Sequence, residues 1–191
     1  MEEKLGWQCI LIEPIPSLAK KTKKYRPNAI IFEVACTADK NVSYLDFNIP
    51  INKDNFEITG HASLEINADE HNYDDHKTIQ VKTDTLTNIL KSSKIENIDF
   101  LSIDVEGTEM DVLLGLDFNL YRPSLILLED KHLYLKKHIF LKKKGYKLVQ
   151  RLNRNCWYIP NESKFKSNSL IGKIKLIKRM YVSIWYKKIL Y

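Results

Sequence analysis

Asp104 and Glu106 stand two residues apart at the end of an apolar run, Phe100–Val105, and Gly107 follows them. Side chains alternate along a strand, so both carboxylates are expected on one face. Such a pair repels itself unless a cation, a proton or a donor-rich ligand lies between the two. That demand for a partner makes the stretch a functional suspect. The pattern equally suits two acids near the positive end of a helix, here Thr108–Leu116. Two other apolar runs end in acids: Cys9–Glu13, and Leu125–Glu129 with Asp130 beyond it. Ligands of open α/β sheets sit outside the carboxyl ends of the strands. Three acidic tips therefore imply an electronegative pocket along one sheet edge. It would receive hydroxyl-rich ligands, cationic ligands or a divalent metal.

The elements that must position these acids alternate in type. Pro16 and Ser17 open a helix reaching about Lys24, with Leu18 as its main apolar contact. Ala29–Ala35 reads as a buried strand and Val42–Phe47 as a half-exposed one. Asn48 to His76 is polar and without period, as functional loops are. Thr78–Lys82 is a strand, and Asp84 or Thr85 caps a helix through Lys91. His132–Lys144 is a helix ended by Gly145. Tyr146–Arg151 and Cys156–Ile159 then pair around Asn153-Arg154-Asn155. Strand–helix alternation closed by a hairpin predicts an α/β domain with a mostly parallel sheet and an antiparallel edge.

A chain of 191 residues with 44% hydrophobic and 28% charged side chains reads as one globular domain with a real core. The net charge of +6 is unevenly placed. Lys164 to Tyr191 carries eight Lys+Arg and no acid, leaving 22 basic and 24 acidic side chains elsewhere. A nucleic-acid enzyme would spread a basic face over the fold itself, so no nucleic-acid partner is expected. Cys9, Cys36 and Cys156 lie in apolar runs and read as small buried hydrophobes in a reducing compartment. No Cys/His spacing suggests structural zinc, and Met1–Trp7 is not a signal peptide.

Gly6-Trp7-Gln8-Cys9-Ile10-Leu11-Ile12-Glu13-Pro14, followed by Ile98-Asp99-Phe100-Leu101-Ser102-Ile103-Asp104-Val105-Glu106-Gly107-Thr108-Glu109, resembles the FkbM-type methyltransferases. Ala35-Cys36-Thr37-Ala38-Asp39 and Thr83-Asp84-Thr85-Leu86 fall where that family has similar segments. The resemblance spans roughly Leu5 to Ile159. It implies a Rossmann-like class I methyltransferase sheet using S-adenosylmethionine, with a saccharide or glycolipid hydroxyl as acceptor. Glu13 would accept hydrogen bonds from the cofactor ribose, a role Rossmann carboxylates take. Its other reading is a capping acid before Pro14. Ala35 and Cys36 would lie beside the adenine, or be plain core. Asp104 and Glu106 would face the methyl-transfer site, and Asp104 counts among the cofactor-binding residues too. One of the two would orient or deprotonate the acceptor, or both would join Glu129 in holding a divalent cation such as Mg2+. His61, in Gly60-His61-Ala62-Ser63, is the loop candidate for the base. A solvated loop histidine is its alternative.

The sequence departs from the family at its start. Gly6-Trp7 stands just before the second strand, and no GxGxG occurs. The expectation is therefore an N-terminally incomplete sheet, with an upstream segment or a partner supplying the first strand. The competing reading is an inactive or truncated methyltransferase-like binding module. The domain is expected over 1–160, and 161–191 as a basic amphipathic tail. Leu170, Ile174, Ile177, Tyr181 and Ile184 share one helical face there, with Lys175 and Arg179 opposite. Such a helix suits either the surface of an anionic membrane or the domain's own apolar surface. The resulting expectation is a cytoplasmic protein, peripheral at the inner membrane face.

Overall fold

The computed structural model describes residues 2–59, 62, 75–130, 135–165 and 170–177. The chain divides into two compact units, one of residues 1–95 with 105–117 and one of residues 96–104 with 118–191.

The first unit begins with a short helix, α1 (Glu2–Leu5), and a strand, β1 (Ile10–Ile12). Helix α2 (Pro16–Tyr25) has Pro at its first position, where the missing N–H costs nothing. Strand β2 (Ile30–Phe32) pairs parallel with β1, Ile10 against Ile30. The expected single strand over 29–35 is interrupted at Glu33–Val34, and β3 (Ala35–Cys36) resumes in a different ladder. Strands β4 (Tyr44–Ile51) and β5 (Asp75–Asp84) form a long antiparallel ribbon, and β3 pairs parallel with β5. Both ends of the segment read as irregular are thus strand. Pro50 lies in β4, which is an edge strand of the order β3-β5-β4, where a missing donor is tolerated.

Phe47, Ile49 and Val81 build the unit's core with Ile15, Ala35 and Ala62, and Leu18 packs onto it. Helix α3 (Leu86–Ser92) is capped by Thr85, whose hydroxyl accepts the Asn88 N–H at 3.2 Å. Leu86, Ile89 and Leu90 are its buried residues, the i, i+3, i+4 stripe of an amphipathic helix. Each contributes about 1.5–3 kcal/mol by leaving water. Helix α4 (Glu109–Leu114) ends at Gly115, where an added Cβ would lie 2.5 Å from the Thr37 carbonyl oxygen. Only glycine allows that approach.

The second unit is a four-stranded sheet in the order β6 (Phe100–Ile103), β7 (Leu125–Glu129), β9 (Asn155–Pro160), β8 (Tyr146–Leu152). The β6–β7 pair is parallel and the other two are antiparallel, as the closing hairpin predicts. Helix α5 (Leu135–Lys143) packs against β8, and Leu141 is fully buried, as are the sheet residues Ile126, Leu128 and Tyr158. The turn just after α5 is held by Arg122, which donates to Lys144 O at 3.1 Å and Gly145 O at 3.3 Å. The same guanidinium grips Glu162 and lies 5.1 Å above the Tyr146 ring. Of the tail, residues 161–165 and helix α6 (Leu170–Ile177) are described, with Ile174 exposed. Tyr181 and Ile184 lie outside the described residues. No described helix is long and apolar enough to cross a membrane.

Pairing thus falls into ladders of two, three and four strands, and antiparallel pairs take a larger share than the sequence implies. The architecture is mixed α/β.

Candidate active site

Glu13 follows β1 directly. Its carboxylate accepts the Ile15 N–H at 2.9 Å, and its own N–H donates to Phe32 O at 3.0 Å. The side chain therefore braces the turn into α2 at Ile15, the residue before the first helical position, while no side chain caps the helix itself. It is also half-buried, and burial pushes its pKa up against the opposing effect of the Ile15 bond. A half-buried carboxylate is a fit acceptor for ligand hydroxyls, which restore the hydrogen bonds that burial removes.

Ala35 is buried and Cys36 half-buried in β3, with Cys36 opposite Asp84 of β5. The two segments quoted separately from the sequence are parallel neighbours. Thr37 N–H continues the ladder to Asp84 O at 3.0 Å. The Asp84 side chain accepts from Thr85 N at 2.7 Å and Asn88 Nδ2 at 2.9 Å, fixing the start of α3. Burial, with Asp84 nearby, pushes the Cys36 thiol up to about 12, so it is an inert neutral group at physiological pH. A small buried alanine beside a neutral thiol suits the flat apolar face of a heterocycle.

Strand β6 ends at Ile103, before the acids. Strand alternation therefore does not place Asp104 and Glu106. A turn does. Glu106 has φ 53° and Gly107 φ 118°, two successive residues in the left-handed half of backbone space. For glutamate this costs of order 1 kcal/mol or more, and such outliers gather at functional sites. The turn is held by Glu109, whose carboxylate accepts the Gly107 N–H at 2.9 Å and is buried. One carboxylate oxygen each of Asp104 and Glu129 come within 4.8 Å, and Glu106, two residues along from Asp104, completes the group at the same spacing. Asp104 is exposed and the other two half-buried. The group is rich enough in oxygen to take a hard divalent cation, and equally able to share a proton or accept from hydroxyls.

Asp130, expected at the same edge, is elsewhere in chemical terms. It is buried, with Lys137 Nζ 3.4 Å from Oδ1 and Arg151 Nη1 3.5 Å from Oδ2. Arg151 also donates to the Asp130 carbonyl at 2.9 Å and to Cys156 Sγ at 2.9 Å. The Asp130 N–H donates to Arg154 O at 2.7 Å. Asp130 thus pins the end of β7, and so helps set where Glu129 emerges. His61 lies outside the described residues.

Glu109 is the functional residue that sequence reasoning missed. It belongs to the quoted motif, yet its buried bond to Gly107 depends on a backbone turn that residue types alone do not announce. The only signal is a glutamate two residues after a glycine.

Residues 1–148 match the profile of the methyltransferase FkbM domain. The chain belongs to the FkbM methyltransferase family. Neither a curated protein nor a solved structure matches it. FkbM membership brings the acidic tip and the Glu13 turn into one family domain, and supports methyl transfer as the class of reaction.

Proposed function

We propose that the chain is an S-adenosylmethionine-dependent O-methyltransferase acting on a hydroxyl of a saccharide or glycosylated acceptor, within a Rossmann-like domain over 1–160. The observation that carries this reading is the strained Glu106–Gly107 turn, which presents Glu106 with Asp104 and Glu129 in a family domain of methyltransferases.

The cofactor supplies an already activated methyl group, so the protein's task is to position and to move one proton. Glu13 binds the ribose hydroxyls with the carboxylate it uses to brace α2. Ala35 and Cys36 flank the adenine. Asp104 or Glu106 accepts a hydrogen bond from the acceptor hydroxyl and takes its proton as the oxygen attacks. His61 is the loop alternative for that base. With Glu129 the two acids also form the set that would hold Mg2+, which would lower the hydroxyl pKa and orient it. The basic segment 161–191 is a peripheral tether that brings a cytoplasmic enzyme to a lipid-linked acceptor at the inner membrane face.

The test is isothermal titration of S-adenosylmethionine, followed by an assay for the demethylated cofactor over a saccharide panel. Micromolar binding, weakened at least about tenfold in Glu13→Ala, is expected. Turnover lost in Asp104→Asn or Glu106→Gln with binding retained would assign the acids to chemistry. Binding with no turnover on any acceptor would favour a methyltransferase-like binding module. Absence of binding would overturn the proposal.

A further inference from the structure

Helix α2 carries Lys20, Lys21, Lys23 and Lys24 within a single turn and a half, and all four are exposed. At 100° per residue they fan across one side, with Pro16 and Ser17 exposed on the same arc. The opposite side holds buried Ala19 and Leu18, which packs onto the core cluster that includes Ile15. The helix is therefore fastened by one face and presents a cationic plane with the other. No acid stands in its first turn, and among the described residues none of the four lysines has an ion-pair partner. Tyr25, at the rim of the same helix, is 70% exposed.

Four like charges side by side repel one another, and an uncompensated cluster of this density lowers its energy by meeting an anionic surface. The composition says which kind. Lysine binds as a hydrated point charge, without the planar fork by which Arg grips a phosphate bidentately. Helix α2 contains no Arg, Asn or Gln to read base edges and no aromatic residue between the lysines for stacking. A flat lysine plane with one exposed tyrosine at its border is the pattern of a helix lying on anionic headgroups.

We infer that the α2 face, Lys20, Lys21, Lys23 and Lys24 with Tyr25, is an electrostatic docking surface for an anionic lipid bilayer, separate from the basic segment 161–191. Because α2 starts at the Glu13 turn, docking would hold the cofactor-binding end of the first unit at the bilayer. The inference stands whether or not the site transfers methyl groups.

The experiment is cosedimentation of the full chain with phosphatidylcholine vesicles, with and without phosphatidylserine, at low and physiological salt. The parent is expected to bind only the phosphatidylserine vesicles and to be released by salt. The variant Lys20→Gln, Lys21→Gln, Lys23→Gln, Lys24→Gln should keep its circular dichroism and Tm, since the side chains touch solvent. It should partition onto those vesicles at least about tenfold less. The same four positions changed to Arg should restore binding. Partition of the glutamine variant within about twofold of the parent would overturn the inference and leave 161–191 as the binding element. So would an arginine variant that fails to bind, or a parent that ignores vesicles and binds a duplex RNA probe.

Discussion

Glu13 braces the turn into α2 with a half-buried carboxylate, and in the proposed function the same group binds the cofactor ribose. Burial raises its pKa, so the ionised form is less favourable in the fold than in the unfolded chain. The stability it contributes is fully present below its unfolded pKa and is lost as pH rises through the raised folded value. Glu13→Gln keeps an acceptor for Ile15 and removes that penalty. It should raise the Tm of the ligand-free protein at pH 7, with the gain vanishing as the solution is acidified below the ordinary carboxylate range. The same change should weaken S-adenosylmethionine binding, read by calorimetry. Gly107 makes the opposite kind of demand. At φ 118° any side chain is strained, so Gly107→Ala should cost about 1–3 kcal/mol in urea unfolding and displace Glu106 as well. Their positions at the ends of apolar runs make Glu13, Asp104, Glu106 and Glu129 legible in the sequence alone. Asp130 is misread there because its partners, Lys137 and Arg151, arrive from α5 and β8, and only folding brings them to it.

Helices and strands are readable wherever period and punctuation agree. The β7 bounds, the Thr85 cap and the 146–160 hairpin all follow from local chemistry. The β4–β5 ribbon outruns its apolar pattern because polar residues such as Asn48 and Lys77 can hold a ladder through backbone bonds alone. Ladder membership is a non-local property, and so the break between β2 and β3 has no sequence mark. The end of α5 offers a test of an element clasp. Glu162, bound to Arg122, titrates well below the carboxylate range, at about 2. That contribution is present above its unfolded pKa and disappears as pH falls through about 2. Acid unfolding followed by circular dichroism should therefore begin at a higher pH in Glu162→Gln. The β7 end gives a larger effect. Removing Arg151 alone, as Arg151→Met, leaves Asp130 buried with one cation fewer and should cost about 3–5 kcal/mol. Pairing it with Asp130→Asn should cost less than the sum of the two single changes, in a double-mutant cycle.

Charge across the protein is organised by segment, and its sum hides this. The +6 total joins a near-neutral domain to a basic tail, and within the domain α2 concentrates four lysines on one face. The thiols of half-buried Cys36 and buried Cys156 report on the two units separately. Burial pushes Cys36 to about 12 and Cys156 to about 11, so both should resist iodoacetamide at pH 8. Mild denaturant should expose them at rates set by opening of β3 in one unit and of β9 in the other, read by mass spectrometry. The chain passes between these units at 95–96, at 104–105 and at 117–118. Strand β6 is thus a loan from the first unit's stretch of sequence to the second unit's sheet. A gene cut once anywhere in 96–117 yields fragments in which at least one unit lacks a segment of its own. At least one of the two fragments therefore cannot be inherited, expressed or exchanged as a free-standing module. Two such fragments, mixed, should regain the native circular dichroism only together, which makes this chain a candidate for a split-protein reporter.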